Sequence, residues 1–320
     1  MILSIILLLA GLAVLIAGAE ALVRGASSIS KKAGIPPIVI GLTIVAFGTS
    51  SPELVVNVFS AFQGTTDLAL GNIIGSNIAN ILLILGISAL VVDLKVQKST
   101  TWKEIPFAFL AVLVLFAIAN DKIIDRADGN ILSRADGFVL LSFFAIFMYY
   151  IVELTRKGDN GAEQEEIKSY SVPVSIFLTA GGLLALFFGG KLLVDQAVAL
   201  AQLAGLSEML IGLTIVAVGT SLPEMATSII AARRGQSDIA IGNIVGSNIF
   251  NVFWILGATS LIKPISINVG ANFDIFVSLM ATAILFFAMF VGKKHKLERW
   301  QGGVLLLTYI LYIAYLIQRG

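Results

Sequence analysis

The sequence predicts an all-α polytopic membrane protein with ten transmembrane helices, arranged as two inverted five-helix repeats. Three observations lead to this fold class. The 320 residues are 58% hydrophobic and only 13% charged, whereas soluble domains average about 45–50% apolar and about 25% charged residues. The apolar residues form stretches long enough to cross a bilayer. The chain also repeats itself at a fixed spacing of 171 residues, which indicates an internal duplication.

Ten apolar stretches meet the length of about 20 residues that a membrane-spanning helix needs. They cover residues 2–23, 39–61, 68–92, 104–120, 136–154, 172–195, 210–232, 239–262, 272–292 and 300–317. The loops between them are short. The longest polar stretch, residues 155–170, is rich in charge and nearly free of aromatic residues, which is typical of a linker.

The duplication is clearest where residues 40–86 align with residues 211–257 without a gap, with 27 of 47 positions identical. Five spans per copy is an odd number, so the second copy must cross the membrane in the opposite direction, as in many secondary transporters. We therefore divide the chain into a first repeat at 1–154, a linker at 155–171 and a second, inverted repeat at 172–320.

The distribution of basic residues predicts the orientation. With the N-terminus outside, the loops after spans 1, 3, 5, 7 and 9 hold 15 of the 21 Lys and Arg residues. Cytoplasmic loops carry such an excess. The sequence thus predicts a cytoplasmic linker at 155–171 and two termini that are extracellular or periplasmic, in a plasma or inner membrane.

The second and seventh spans each carry a proline followed by a glutamate near mid-membrane, Pro52-Glu53 and Pro223-Glu224. Proline breaks or bends a helix because it lacks an N–H and its ring presses on the preceding turn. A carboxylate in hydrocarbon costs a few kcal/mol unless it has a partner. Two broken helices with one buried carboxylate each predict a cation site between the repeats.

Other oxygen donors surround the two glutamates in the sequence. Thr49 and Ser50 lie four and three residues before Glu53, so all three side chains share one face of a helix. The second repeat offers Thr220, Ser221 and Glu224 in the same pattern. Calcium binds six to eight hard oxygens, including carboxylates and carbonyls, and these residues supply both kinds.

The third and eighth spans add a polar stripe at i, i+4 and i+8. It consists of Asn72, Ser76 and Asn80 in the first repeat and Asn243, Ser247 and Asn251 in the second. We assign Ser76 and Asn80 to the site; hydrogen bonding between helices is an equally good interpretation of Asn72 and Asn77. Because the Asn side chains are neutral, the formal charge of the site comes from Glu53 and Glu224 alone.

A plainer interpretation is that the prolines only kink the helices while each glutamate pairs with a basic residue. No Lys or Arg lies at membrane depth in any of the ten stretches, so the sequence offers no such counter-ion. The charged residues nearest to membrane depth form local i, i+4 pairs close to span ends, Glu20 with Arg24 and Lys191 with Asp195. We expect those pairs to lie at the membrane interface.

The motifs GTSSPE and GTSLPE, followed by GNIIGSN and GNIVGSN, resemble the paired alpha repeats of the cation/calcium exchanger (CaCA) superfamily, and most closely its prokaryotic sodium/calcium exchangers. The resemblance covers nearly the whole chain, in the right order and register. It implies a ten-helix fold with four ion sites in the core, over which helices one and six slide as a gate.

Carried over by position, the resemblance assigns calcium to Glu53 and Glu224 with the backbone carbonyls of Thr49 and Thr220. Sodium would use the same carboxylates together with oxygens of Thr49 and Thr220 and six further residues: Ala46, Ser50, Ser76, Ala217, Ser221 and Ser247. Some relatives carry Asp where this chain has Asn251, and in the potassium-dependent branch such an Asp is tied to potassium use, so Asn251 argues against potassium co-transport. The GNxxE pattern of calcium/proton exchangers is absent, since Gly75-Ser76 stands there.

We therefore expect a secondary active antiporter that exchanges Na⁺ for Ca²⁺, electrogenic and K⁺-independent, with H⁺ as a competitor. The alternatives are a Ca²⁺/H⁺ or other divalent cation/H⁺ antiporter and, from another class, a cation channel. Ca²⁺ and Na⁺ are the expected transported ions and the lipid bilayer the expected surrounding; no cofactor, nucleic acid or obligate protein partner is expected. An enzyme is not expected, because the chain has no Cys, one His and no phosphate-binding loop.

Overall fold

The computed structural model describes residues 2–63, 66–124, 126, 129–157, 169–203, 217–267 and 269–319, and most of these residues are helical. The α-helices are α1 Ile2–Ala33, α2 Pro37–Ile40, α3 Ala46–Thr49, α4 Ser51–Gln63, α5 Thr66–Ile78, α6 Gly86–Val91, α7 Lys98–Trp102, α8 Glu104–Ile118, α9 Asp121–Ile124, α10 Arg134–Lys157, α11 Val172–Leu203, α12 Ala217–Thr220, α13 Leu222–Arg233, α14 Ser237–Ile249, α15 Gly257–Ile262, α16 Val269–Ala288 and α17 Arg299–Arg319. Three wider, π-helical segments join some of them: Gly41–Val45, Ala79–Leu85 and Phe250–Leu256.

Eight helices in the described part of the chain are long and apolar enough to cross a membrane, and a ninth is the bent pair Pro37–Thr49 and Ser51–Gln63. Each coincides with a predicted span, which confirms the all-helical membrane fold. The seventh predicted span, 210–232, falls partly outside the described residues, because 204–216 are not described. Its second half forms α12 and α13.

The first helices of the two predicted repeats, α1 and α11, pack against each other along their length. They are antiparallel, since Gly11 lies opposite Gly189 and Gly18 opposite Gly182. A Cβ atom on Gly18 would come within 3.0 Å of the Gly182 carbonyl oxygen, and one on Gly182 within 2.8 Å of the Gly18 oxygen. Glycine is therefore required for this close approach, as at many membrane helix interfaces.

Two short antiparallel ladders tie the repeats together. Strand β1 (Leu94–Lys95) pairs with β4 (Lys296–Leu297), and β2 (Asn130–Leu132) pairs with β3 (Ile265–Ile267). Helix α8 runs between β1 and β2 in the chain, so the two ladders lie at opposite ends of the helical bundle. Each ladder joins a loop of the first repeat to a loop of the second.

The centre of the molecule is formed by two spans, Ala69–Val91 and Ser237–Ile262. In their most apolar parts 78% and 94% of the residues are buried, against 22–39% for the other six long spans. Each contains a π-helical segment at the equivalent place, Ala79–Leu85 and Phe250–Leu256. Such wide turns are rare and occur frequently at functional sites.

Candidate cation-binding site

The two proline-containing spans break at equivalent serines. Ser50 has φ −83° and ψ 8°, and Ser221 has φ −87° and ψ 6°, so neither residue has helical geometry. The break at Ser50 bends the span by 46°. Glu53 and Glu224 follow in the first turns of α4 and α13, where the positive end of the helix dipole favours a negative charge.

Both glutamates lie in the protein interior, and each is 1% exposed. The Ser76 hydroxyl donates to Glu53 Oε1 at 3.3 Å, and the equivalent Ser247 hydroxyl donates to Glu224 Oε1 at 3.4 Å. Ser50, three residues before Glu53, donates across the repeats to Glu224 Oε1 at 2.9 Å. The contact of Ser50 with Glu224 brings the break that precedes Glu53 against the glutamate of the second repeat.

Several oxygen atoms of the glutamates and of the other proposed ligand residues are buried and have no hydrogen-bond partner among the described residues. They are Glu53 Oε2, Glu224 Oε2, Asn80 Oδ1, Asn251 Oδ1 and Ser221 Oγ. Four of these five atoms form two pairs related by the 171-residue repeat. Buried polar atoms normally have partners, so this set of oxygens fits a cation that binds between the repeats.

No ion pair found in the described residues involves either glutamate. The basic counter-ion required by the plainer interpretation is thus missing from that part of the chain. The same residues contain no group of three or more His, Cys, Asp or Glu side chains that could hold a metal. The candidate site is instead made of two carboxylates with hydroxyl and amide oxygens, the hard donors that Ca²⁺ and Na⁺ share.

The threonines of the site contact the asparagines of the opposite repeat. Thr49 is 1% exposed and donates to Asn243 Oδ1 at 2.9 Å, while Thr220 donates to Asn72 Oδ1 at 3.4 Å. Asn243 also donates to the backbone carbonyl of Glu224 at 3.3 Å. Asn72 and Asn243 therefore join the helices around the site, which agrees with the packing interpretation of Asn72.

The two alanines that the resemblance assigns to sodium differ in what can be described. Ala46 is fully buried, and its carbonyl oxygen accepts from the Ser50 N–H at 3.0 Å and from the Thr49 hydroxyl at 3.3 Å. Ala217 begins α12, and its side chain lies outside the described part of the structure.

Sequence reasoning left Asn77 undecided and did not single out Asn248. Each is nearly fully buried, and each donates to the backbone carbonyl of the other at 3.3 Å. Their side-chain oxygens accept from Asn251 and Asn80, respectively, at 2.9 Å. The signal that could have identified them is their spacing, three residues before Asn80 and Asn251 on the same helices.

Another asparagine of the first repeat was missed for a different reason. Asn57 is fully buried, donates to the backbone carbonyl of Glu53 at 2.9 Å and has no partner for its Oδ1 atom. Its equivalent, Ser228, accepts from Asn243 at 2.9 Å. Because Asn and Ser differ, the aligned repeats give no matching motif at this position.

Both the sequence and the fold of this chain are similar to those of known proteins. The family model described as sodium/calcium exchanger protein matches residues 3–152 and 174–318. The chain is 39% identical over 320 residues to the putative antiporter CaxA of Alkalimonas amylolytica, and 30% identical over 350 residues to the sodium/calcium exchanger MaX1 of Methanosarcina acetivorans. Each alignment covers 98% of both chains.

A solved structure of the sodium-calcium exchanger NCX_Mj superposes with a TM-score of 0.83 at 33% identity, covering 98% of each chain. Similarity of this extent concerns the whole fold and both repeats rather than one motif. Together with the buried oxygen cluster between those repeats, it assigns the chain to the sodium/calcium exchanger protein family, within the cation/calcium exchanger superfamily.

Proposed function

We propose that this chain is a secondary active antiporter that exchanges Na⁺ for Ca²⁺ by alternating access. The observation that carries the proposal is the pair of buried carboxylates, Glu53 and Glu224, each with one unpartnered oxygen. Two like charges buried together need a cation or a proton to neutralise them, because an isolated buried charge is strongly unfavourable. The similarity to MaX1 and NCX_Mj, which are named sodium/calcium exchangers, supports these two ions.

The exchange follows from competition for two negative charges. One Ca²⁺ neutralises both carboxylates. Several Na⁺ ions can do the same with the help of further oxygens, which we assign to Ala46, Thr49, Ser50, Ser76, Asn80 and their equivalents Ala217, Thr220, Ser221, Ser247 and Asn251. An empty site leaves two like charges in a medium of low dielectric constant, so the change of access without an ion is costly. That cost couples the two fluxes.

The proposed architecture is ten spans in two inverted repeats, 1–154 and 172–320, joined by a cytoplasmic linker at 155–171. The antiparallel packing of the equivalent helices α1 and α11 supports the inversion. So do the two ladders at opposite ends of the bundle. The excess of basic residues on one side favours extracellular or periplasmic termini. Alternating access would move α1 and α11 over the remaining helices.

We further propose that exchange is electrogenic and independent of K⁺. If more than two Na⁺ ions exchange per Ca²⁺, net charge crosses the membrane and the membrane potential contributes about 2.3 kcal/mol per charge and 100 mV. Asn251 adds no charge to the site, so the site offers two formal negative charges for all its ions. This supports K⁺ independence, since a third carboxylate is the feature associated with potassium use.

The function is tested by ⁴⁵Ca²⁺ uptake into proteoliposomes that hold the purified protein. An outward Na⁺ gradient should drive uptake, a valinomycin-clamped inside-positive potential should accelerate it, and equal K⁺ on both sides should not change it. Uptake driven by a pH gradient without Na⁺ would identify a Ca²⁺/H⁺ antiporter instead. Discrete single-channel current steps would identify a channel, and either result would overturn the proposal.

A further inference from the structure

We infer that Asn77 and Asn248 are positioning residues that orient Asn80 and Asn251, so that both amide oxygens face the bound cation. This inference rests on the proposed function, because it concerns the ions that occupy the same site. It assigns a role to two residues that are not among the proposed ligands. Asn77 is 1% exposed and Asn248 2% exposed, so both act inside the protein.

The four asparagines form a continuous hydrogen-bond network across the two central spans. Asn80 Nδ2 donates to Asn248 Oδ1, and Asn251 Nδ2 donates to Asn77 Oδ1, both at 2.9 Å. The amides of Asn77 and Asn248 each donate to the other residue's backbone carbonyl at 3.3 Å. The four bonds form two matching pairs under the 171-residue repeat, so the network belongs to the interface between the repeats.

The network leaves a defined set of atoms without partners. The nitrogen atoms of Asn80 and Asn251 are used, whereas their Oδ1 atoms are buried and unpartnered. Ser76 lies one turn before Asn80 and contacts Glu53, and Ser247 lies one turn before Asn251 and contacts Glu224. The two free amide oxygens therefore lie on the same helix faces as the serines that contact the carboxylates.

An amide group can present either an oxygen or an N–H₂ group, and only the oxygen binds a cation. Rotation of the Asn251 amide would take Nδ2 away from Asn77 and bring two oxygens together at about the same distance. The network thus disfavours the orientation that would repel a cation. Asn77 and Asn248 act through Asn251 and Asn80, since the amide nitrogen and the amide oxygen of each make a hydrogen bond within the network.

The same contacts restrict the charge of the site. A carboxylate at position 251 would place an acceptor against Asn77 Oδ1, which now lies 2.9 Å from a donor. Two acceptors at that separation repel each other, and in a buried site an unsatisfied polar contact is costly. Asn77 therefore favours a neutral residue at 251, and Asn248 favours one at 80.

The inference is tested by a double-mutant cycle of Asn77→Leu and Asn251→Ala, read by direct Ca²⁺ titration of the purified protein. Asn77→Leu should weaken Ca²⁺ binding about tenfold, because the released Asn251 amide no longer presents a fixed oxygen. In the Asn251→Ala background the same substitution should have little further effect, since there is no amide left to orient. Additive effects, or unchanged binding by Asn77→Leu, would overturn the inference.

A matched control separates positioning from folding. Asn120 is also buried, accepts from the Asn272 amide at 2.8 Å and donates to the Phe116 carbonyl at 2.7 Å, away from the glutamates. Asn120→Leu should lower the melting temperature and leave Ca²⁺ binding unchanged; a tenfold loss there would show that any broken Asn pair has this effect. Should Asn77→Leu not fold, Asn248→Leu in a cycle with Asn80→Ala tests the symmetric half. Because the titration needs no gradient, the inference can fail while Na⁺-driven uptake succeeds, and the reverse.

Discussion

The two threonine–asparagine contacts that flank the candidate site are made by the same residue types but differ in geometry. Thr49 and Asn243 are 2.9 Å apart and almost fully buried, whereas Thr220 and Asn72 are 3.4 Å apart and Asn72 is partly exposed. The amide nitrogen of Asn72 has no hydrogen-bond partner, while that of Asn243 donates to Ser228 at 2.9 Å. Matching residues therefore form a closed contact in one half and a looser one in the other.

Two further contacts lie on the side of Asn243. A Cβ on Gly246 would lie 2.9 Å from backbone atoms of Leu42, so the eighth span packs closely against the second span there. Glu20 of α1 forms ion pairs with Arg24 in the same helix and with Arg234 of the second repeat. The equivalent pair, Lys191 and Asp195, is a local contact within α11.

Within the described residues, the contacts around Asn243 are therefore tighter than those around Asn72, and we call these the closed side and the open side. The Thr and Asn residues are identical in the two halves, so the difference between their contacts reflects the conformation. The ion pair differs in composition, because Gln63 stands where the second repeat has Arg234. Under the proposed orientation, Asn243 lies toward the cytoplasm and Asn72 toward the outside.

The largest expected effect concerns the part of the site that both halves share. Glu53→Gln and Glu224→Gln should each reduce Na⁺-driven Ca²⁺ uptake at least about 100-fold, because each removes one of two charges that hold the ion. The two variants should be equally impaired, since the carboxylates are related by the repeat. Substantial uptake by either variant in proteoliposomes would contradict a shared site.

The second prediction compares the two asparagines. Asn243→Ala should lower the free energy of unfolding by about 3 kcal/mol, because it removes buried hydrogen bonds to Thr49, Ser228 and the Glu224 carbonyl. Asn72→Ala should cost less than about 1 kcal/mol, because its amide nitrogen is already unpartnered. Thermal unfolding in detergent measures both. Equal losses would mean that the two contacts are equivalent in solution.

The third prediction uses the glycines. Gly246→Ala should cost about 1–3 kcal/mol of stability, because the new methyl group meets backbone that cannot move aside easily. Gly75→Ala should cost less stability, because no described atom lies within 4 Å of the added methyl group. If the open side closes during transport, Gly75 should come to pack as closely as Gly246 does here. Gly75→Ala should then slow uptake, because the added methyl group would hinder that closure. A Gly75→Ala variant with full stability and full transport would show that the two sides do not exchange roles.

The smallest expected effect concerns the ion pair on the closed side. Glu20 and Arg234 are partly exposed, so their contact is worth about 0.2–1 kcal/mol. Arg234→Gln should shift the balance between conformations by up to about fivefold toward the alternative state. Lys191→Gln is the matched control and should cause no shift.

A cysteine reporter can measure this balance, because the chain has no native cysteine. Gly71 is exposed and lies one residue before Asn72, so Gly71→Cys should react with a membrane-impermeant thiol reagent when water reaches the side of Asn72. Arg234→Gln should slow that labelling and Lys191→Gln should not. Identical labelling rates with and without Arg234→Gln or Lys191→Gln would show that the ion pair does not affect the balance between conformations.

Much of the fold and of the candidate site could be predicted because its signals are local. The spans follow from apolar length, and nine of the ten predicted spans have a matching helix or bent pair in the described residues. The breaks at Ser50 and Ser221 follow from prolines two residues later. The roles of the proposed ligands remain predictions, although the structure brings Glu53, Glu224, Ser50, Ser76 and Ser247 together.

What the sequence by itself determined is the set of groups available at mid-membrane, because hydrophobic length, proline and a buried carboxylate act through neighbouring residues. Only the tertiary structure decided how those groups divide their hydrogen bonds. The reciprocal contacts of Asn77 with Asn248 and the pairing of Glu20 with Arg234 join residues more than 170 positions apart. The difference between the two halves also lies beyond the motifs, because nearly identical sequences can adopt two packings that differ by only a few kcal/mol.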